Sequence, residues 1–161
     1  MDTIAKHKKK LLQPYKRRDG ADEIIASATH LAQLVLPSEH LLRRHKKKIL
    51  SEVLWLVSEV DGKYSTRYRS ARVIQLARDE PTSDEKIQHE HVFPRKQVTE
   101  HLLNNPERLE AVLAETTGCV VTASEHKNLI SSAEGWGRYR DVKVLDMLSE
   151  RPSERASFES F

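Results

Sequence analysis

Side chains able to bind a metal or move a proton stand together in the middle of the chain. His89, Glu90 and His91 are adjacent, and His126 follows in a later segment. Metal-assisted hydrolysis of a phosphodiester uses a divalent ion, a base that activates water and cations that contact the phosphate. A carboxylate is a hard oxygen ligand, and imidazole is either a nitrogen ligand or a base with an unperturbed pKa of about 6.5. These residue types predict metal-assisted phosphodiester hydrolysis.

Cations that suit a phosphate backbone follow this segment and also precede it. Arg95 and Lys96 come directly after Pro94, and we assign Arg95 to the catalytic set as a phosphate contact. The residues predicted to bind nucleic acid are Lys63, Arg67, Lys96, Arg43, Arg44 and Lys47; Arg69 and Arg72 extend the same clusters. Clustered Lys and Arg indicate a polyanionic partner, although solvated helix faces have the same composition.

Short strands and helices must position these residues. Residues 87–93 favour a strand that Pro94 ends, residues 120–121 favour a second strand, and residues 124–130 favour a helix that carries His126. His91 and His126 can approach one ion only if the two strands pair. We therefore predict an antiparallel ribbon of Val92 with residues 120–121, and a helix packed across it.

The rest of the chain is predicted to be mostly helical. Apolar residues recur at helical spacing over residues 21–36 and 39–60, and shorter helices are predicted over residues 71–77, 95–104 and 106–115. The predicted organisation is a flexible basic arm (1–20), a basic helical region (21–80), a nuclease unit (81–149) and a flexible tail (150–161). The fold class is α+β, with a small antiparallel unit of two strands and a helix in the C-terminal half.

Residues 90–94, with the letters EHVFP, followed by strand, helix and His126, resemble the HNH or ββα-metal endonuclease family. The resemblance covers residues 87–130. It implies that Glu90 and His126 hold a divalent metal ion and that His91 is the general base. The expected metal is Mg²⁺, with Mn²⁺, Ni²⁺ and Zn²⁺ as alternatives.

The sequence departs from the family pattern at the middle asparagine, which orients the base histidine in the family. Thr117 stands at that offset. Its spatial substitute is open among Asn104, Asn105 and Asn128. The residues that we assign to supporting roles are His89, Thr117 and Asn128.

Composition bounds the remaining alternatives. The chain has 161 residues, a formal net charge of +3 and a single cysteine, Cys119. A lone cysteine excludes an internal disulfide and a CxxC zinc knuckle. No apolar run approaches the ~20 residues of a membrane span, and no apolar segment follows the basic N-terminus. We expect a cytoplasmic protein without a membrane partner.

The predicted function is metal-dependent cleavage of DNA, double-stranded in the first instance, with RNA as the alternative substrate. A second hypothesis is a non-catalytic nucleic-acid-binding protein whose HNH-like segment is structural or degenerate. A third is a helical interaction protein whose basic faces bind an acidic partner. The match at residues 90–94 favours the enzyme, and the missing middle asparagine favours the other two.

Overall fold

The protein is a mostly helical α+β chain with a small sheet, and its computed structural model describes residues 2–149 and 152–154. In chain order the elements are α1 (Ile4–Leu12), α2 (Ala21–Val35), α3 (Arg43–Ser58), β1 (Tyr68–Ser70), α4 (Ala71–Asp79), β2 (Ile87–His91), α5 (Arg95–Asn104), a first 3₁₀ segment (Pro106–Arg108), α6 (Leu109–Glu115), β3 (Gly118–Thr122), α7 (Ala123–Lys127), a second 3₁₀ segment (Gly135–Tyr139), β4 (Val144–Asp146) and β5 (Ser153–Glu154). The predicted α+β class is confirmed.

These elements divide into two compact units. The sheet unit takes its residues from Met1–Lys16, Gly62–Val92 and Gly118–Phe161, and the helical unit consists of Arg17–Asp61 and Phe93–Thr117. The predicted boundary at residue 80 differs from this division, because α4 belongs to the sheet unit whereas α5 and α6 belong to the helical unit. Packing of apolar faces that are distant in sequence causes the difference, since Leu102 and Leu113 share one core with Leu50 of α3.

The sheet has the strand order β2-β3-β1-β4-β5, with β1 and β3 parallel and the other neighbours antiparallel. All five residues of β3 are buried, which fits an apolar strand with neighbours on both sides. His89 of β2 pairs with Val120 of β3, and Gln88 pairs with Val121. The predicted antiparallel pairing of these two segments is confirmed, although β2 ends at His91 and Val92 lies beyond it.

The segment predicted as a flexible basic arm contains α1. Ile4 and Leu11 are both fully buried, in one cluster with Val73 and Leu76 of α4. A spacing of seven residues places Ile4 and Leu11 on one face of a helix, and the exposed lysines occupy the rest of its surface. The arm prediction was wrong for these residues because the number of cations obscured this apolar stripe.

Asp2 connects the N-terminal residues to the rest of the sheet unit through hydrogen bonds. Its carboxylate accepts hydrogen bonds from Tyr64 Oη at 2.5 Å and from Lys6 Nζ at 3.1 Å, and it lies 3.0 Å from His7 Nε2. These bonds, that of Tyr64 first, lower the pKa of Asp2 well below its usual range. The backbone carbonyl of Asp2 accepts a hydrogen bond from Ile87 N at 3.0 Å, so Asp2 is also bonded to the first residue of β2.

Arg69 belongs to a cluster predicted to face nucleic acid, but it is 1% exposed. Its guanidinium donates to the carbonyl oxygens of Leu11 at 2.7 Å, Gln13 at 2.6 Å and Thr66 at 3.1 Å. Burial lowers the pKa of Arg69 to about 10, so the group is still charged at neutral pH. Arg69 therefore holds the end of α1 against the sheet and is not available to a ligand.

We expect Arg69→Met to lower the free energy of unfolding by about 2 kcal/mol, because methionine fills a similar volume but leaves the buried carbonyls of Leu11 and Thr66 without their donor. Urea unfolding followed by circular dichroism measures the change. Arg72→Met is the matched control, because Arg72 is exposed on α4. Equal stability of the two variants would contradict the structural role of Arg69.

The helical unit confirms several helices predicted from periodicity. α2 and α5 match their predicted ranges closely, α3 begins at Arg43 instead of residue 39, and the helix predicted over residues 106–115 is divided into the first 3₁₀ segment and α6. Apolar residues of α2, α3, α5 and α6 share one core. None of the described helices is long and apolar enough to cross a membrane.

The predicted flexible tail, residues 150–161, falls largely outside the described residues. Within it, Ser153–Glu154 form β5, which pairs antiparallel with β4 through Leu145 and Asp146. Lys143 Nζ lies 2.9 Å from Glu154 Oε2. Residues 153 and 154 therefore extend the sheet.

Candidate active site

Helix α7 carries His126 onto the β2–β3 pair. Thr122, the last residue of β3, accepts a hydrogen bond on its side chain from Glu125 N at 3.1 Å, and Glu125 Oε2 accepts from Thr122 N at 3.0 Å. This capping box begins the helix directly at the end of the strand. Ser70 Oγ also donates to Glu125 Oε2, at 2.6 Å. The direction of α7 is thus determined within a few residues of His126.

Glu90 and His126 are in contact. His126 Nε2 lies 3.1 Å from Glu90 Oε2, and the side chains are 39% and 18% exposed. Glu90 is on an outward-facing position of β2, and α7 contacts both β2 and β3. The two residues that the HNH resemblance assigns as metal ligands are therefore brought together, at a place that solvent reaches.

Arg138 is a member of this cluster that the sequence did not reveal. Its Nη2 donates to Glu90 Oε1 at 2.8 Å, and its Nη1 donates to the carbonyl oxygens of His91 at 2.9 Å and Val92 at 3.3 Å. The side chain is only 12% exposed. The sequence feature that could have indicated it is the break in the helical pattern at residues 135–139, where Arg138 stands between Gly137 and Tyr139. Arg138 orients Glu90 so that Oε2 faces His126.

His91 faces the opposite side of β2 from Glu90. Successive strand residues alternate between faces, and His89 and His91 share the buried face, where their ring centroids are 5.5 Å apart. Each residue is 8% exposed. The predicted meeting of His91 and His126 at one ion does not fit this alternation, because Glu90 occupies the face that His126 contacts.

Tyr139 adds a neutral hydroxyl to the interior of the sheet unit. The residue is fully buried, and its hydroxyl has no hydrogen-bond partner among the described residues. Burial, and to a lesser degree the neighbouring Cys119 and Glu90, raise the pKa of Tyr139 well above its usual value. Tyr139 therefore keeps its proton at neutral pH. Cys119 is fully buried as well.

The donor pair fits a metal ion held by two protein ligands. Donor atoms on adjacent octahedral positions, each about 2.1 Å from the metal, are about 3 Å apart. The measured separation of His126 Nε2 from Glu90 Oε2 is 3.1 Å. One carboxylate and one imidazole suit Mg²⁺, Mn²⁺, Ni²⁺ or Zn²⁺ with water and substrate as the other ligands. They do not fit a closed structural zinc site, which needs four protein ligands.

A larger ligand set is absent from the part of the chain that the structure describes. Within residues 2–149 and 152–154, no group of three or more His, Cys, Asp and Glu side chains is placed to hold a metal ion. The opposite placement of His89 and His91 explains this, since neither joins Glu90 and His126. Any metal here depends on the Glu90–His126 pair.

The candidates for the middle asparagine are distributed over both units. Thr117 precedes β3 and belongs to the helical unit. Asn104 accepts a hydrogen bond from Arg43 at 3.0 Å, and Asn105 donates to His101 O at 3.0 Å, so both have roles in the helical unit. Asn128 follows α7 as its C-cap. Of the three asparagines, Asn128 alone belongs to the unit that contains Glu90.

Two of the cations predicted to bind nucleic acid have partners in the sheet unit. Arg67 donates to both carboxylate oxygens of Asp146, at 2.9 and 2.6 Å. Hydrogen bonding to Asp146 raises the pKa of Arg67. Lys63 Nζ lies 3.7 Å from Asp2 Oδ2. Both charges are matched within the fold, which weakens the prediction that these residues contact phosphate.

The other predicted cations lie in the helical unit. Arg43 and Lys47 of α3 both pair with Glu100 of α5, and these bonds, that of Lys47 first, lower the pKa of Glu100. Lys96 is exposed at the start of α5. Arg44 Nε lies 3.3 Å from the imidazole of His45. These cations thus follow two neighbouring helices.

Arg95, assigned to the catalytic set, also belongs to the helical unit. Its Nη1 donates to Ser51 Oγ at 3.2 Å, and its guanidinium carbon is 4.7 Å from the ring centroid of Trp55. Stacking on an indole and a hydrogen bond to α3 hold the guanidinium in one orientation. The prediction that Arg95 contacts phosphate remains, and its local partners are those of α3.

Comparison of the chain with protein-family models, with curated protein sequences and with solved structures finds no match. The resemblance to HNH nucleases therefore rests on the sequence pattern of residues 90–94 and His126.

Proposed function

We propose that the protein is a metal-dependent endonuclease that hydrolyses phosphodiester bonds of DNA, with Glu90 and His126 as the protein ligands of the metal ion. The observation that carries the proposal is the 3.1 Å separation of His126 Nε2 and Glu90 Oε2. The two residues are 36 positions apart in sequence and lie on different elements, yet their donor atoms have the spacing of ligands to one ion.

Each residue of the cluster has a distinct part in this proposal. Glu90 supplies a hard anionic oxygen, and His126 supplies a nitrogen ligand from the exposed side. Arg138 is a positioning residue, because its hydrogen bonds join Glu90 to the backbone at the end of β2. A divalent ion bound there supplies a Lewis acid for the phosphate and lowers the pKa of a bound water.

A non-catalytic nucleic-acid-binding protein is the second candidate function. The ion pair of Arg138 with Glu90 favours it, since the guanidinium already neutralises the carboxylate at 2.8 Å. A charge that is matched within the fold attracts a cation less strongly. In this alternative the Glu90–His126–Arg138 cluster joins α7 and the second 3₁₀ segment to β2.

Nicking of supercoiled plasmid separates the two candidates. The full chain is incubated with the plasmid in Mg²⁺, Mn²⁺, Ni²⁺ or Zn²⁺, and a parallel series contains excess chelator. We expect nicking in at least one metal and none with chelator. Binding of the plasmid without nicking in any metal would favour the non-catalytic protein.

His91→Ala tests the general base that the HNH resemblance implies. Loss of a positioned base costs about 10²- to 10⁴-fold in rate. Because His91 is 8% exposed and faces away from Glu90, we expect the variant to nick plasmid within about tenfold of the wild-type rate. A nicking time course, with circular dichroism as a check on folding, measures this. A folded variant with a loss of 10²-fold or more would restore His91 as the base.

A further inference from the structure

The helical unit contains a cleft that the proposed active site does not use. It lies between α3 and α5, has a volume of about 350 Å³, and is lined by Lys47, Ser51, Arg95, Lys96, Thr99 and Glu100. The α5 residues among these follow the spacing of one helix face, as do Lys47 and Ser51 on α3. The lining offers cations and hydroxyl groups.

The charge of the cleft favours an anion. Lys47, Arg95 and Lys96 line it, and Glu100 is the one carboxylate among its lining residues. Arg43, which is outside the lining, also pairs with Glu100. Arg95 is held in place by Trp55 and by Ser51 Oγ, so its guanidinium is oriented before any ligand arrives.

Thr99 provides an independent sign of a ligand. The residue is 4% exposed, and its hydroxyl has no hydrogen-bond partner among the described residues. A buried hydroxyl without a partner costs stability, and a helical threonine ordinarily bonds a backbone carbonyl one turn earlier. Thr29 and Thr116 do so, to Ile25 O and Val112 O, each at 2.8 Å. Thr99 also lines the cationic cleft, so its hydroxyl is a hydrogen-bond donor without a protein partner at that place among the described residues.

We propose that the α3–α5 cleft binds a phosphate group of a nucleic-acid backbone, with Arg95 and Lys96 as its cations and Thr99 Oγ1 as a hydrogen-bond donor. This deepens the proposed function by assigning a backbone contact outside the Glu90–His126 cluster. It depends on that function only for the class of ligand, because binding at the cleft does not require cleavage.

The cations of α3 favour a polynucleotide over a small anion. Arg43, Arg44, Lys46, Lys47 and Lys48 occupy the N-terminal part of this 16-residue helix, and those at positions 44 and 48 are exposed. Lys47 lines the cleft, and the others are its neighbours in the same helix. A single phosphate ion would contact only the residues of the cleft, whereas a polynucleotide would also contact the neighbouring cations of α3.

Thr99→Val gives the sharpest test, because its two effects have opposite signs. Valine keeps the shape but removes the unpaired hydroxyl, so the melting temperature of the free protein should stay equal or rise. Affinity for a labelled duplex, measured by fluorescence anisotropy with chelator present, should fall roughly tenfold. Thr29→Val is the matched control: it removes a hydroxyl that has a partner, so it should lower the melting temperature and leave affinity unchanged.

Lys96→Gln tests the backbone contact through salt. Each phosphate neutralised adds about 0.9 to the slope of log affinity against log salt concentration. The variant should lose about one unit of slope, whereas Arg78→Gln, an exposed cation of α4, should keep the wild-type slope. Wild-type affinity and slope in both Thr99→Val and Lys96→Gln would overturn the proposal. So would a thermal shift with millimolar inorganic phosphate that equals the shift with duplex.

The outcomes for the cleft and for the active site are separable. A Glu90→Gln protein that binds duplex like wild type but does not nick, together with loss of affinity in Thr99→Val and Lys96→Gln, would support both proposals. A wild-type protein that binds through Thr99 and Lys96 but never nicks would contradict the nuclease and keep the cleft. A protein that nicks normally with both cleft residues replaced, at unchanged affinity, would contradict the cleft alone.

Discussion

Glu90→Gln should lower the rate of plasmid nicking at least a hundredfold, because the amide is a neutral and weaker ligand for a hard cation. It also leaves His126 and Arg138 without the anionic acceptor that now lies 3.1 and 2.8 Å from them. Disturbing even the hydrogen-bond partner of a metal ligand commonly costs 10- to 100-fold, so replacing the ligand itself should cost at least as much.

His126→Asn should have an effect of the same order, and raised metal concentration should restore part of the rate in both variants. If the pair holds one ion, the double variant Glu90→Gln/His126→Asn should lose little more than either single variant. Metal titrations with a nicking readout on the three proteins measure this coupling.

Glu85→Gln is the matched control for Glu90. Glu85 Oε1 accepts from Ser124 Oγ at 3.2 Å, so it also contacts the start of α7, but no ion pair joins it to His126 among the described residues. It should nick at the wild-type rate. Equal rates for Glu90→Gln and wild type would remove the Glu90–His126 pair as the site of cleavage.

Gly118→Ala should lower the free energy of unfolding by about 3 kcal/mol, a large effect for one methyl group. A Cβ at Gly118 would lie 2.2 Å from Cε1 and 2.3 Å from Nε2 of His89. Neither group can move easily to make room for the methyl group. β3 is buried along its whole length, and the His89 ring is held by its Nδ1, which is 2.9 Å from Lys63 O. Forced overpacking of this kind costs about 1–3 kcal/mol or more. Thermal unfolding should show a fall of roughly 6–12 °C.

Two further variants isolate the cause. Gly137→Ala should be nearly neutral, because its added Cβ would meet Ala133 Cβ at an ordinary 3.5 Å. His89→Ala combined with Gly118→Ala should recover part of the loss, since it removes the ring that the methyl group meets. A double variant no more stable than Gly118→Ala alone would assign the cost to the strand and not to His89.

Periodicity and chain-breaking residues determined much of the local structure. The apolar spacing of residues 21–36 and 95–104 predicted α2 and α5, and Pro94 ended the predicted strand near the true end of β2. Pairing of that strand with residues 120–121 also followed from the sequence, as did a helix carrying His126. These features depend on neighbours within a few residues, or on one requirement that two histidines converge.

Predictions based on the number of cations were wrong where those cations belong to a packed helix or are buried. The lysines of the first twenty residues suggested an arm, yet Ile4 and Leu11 bury one face of α1. Arg69 was grouped with solvent-facing cations, yet it is buried and its guanidinium donates to three backbone carbonyls. Counting cations does not reveal which of them have buried acceptors, because those acceptors come from distant parts of the chain.

Only the tertiary structure decided which side chains share a face. The adjacent pair Glu90 and His91 reads as one site in sequence, but the alternation of β2 separates them, and α7 adds His126 to the side of Glu90 alone. Arg138 joins that side from 48 residues away. The division into a sheet unit and a helical unit is of the same kind, since α5 and α6 follow β2 in sequence but bury their apolar residues with α2 and α3. Local propensity depends on residues within one turn or one strand. The pairing of the helices depends on the burial of apolar faces that are distant in sequence, and no local pattern shows which faces will meet.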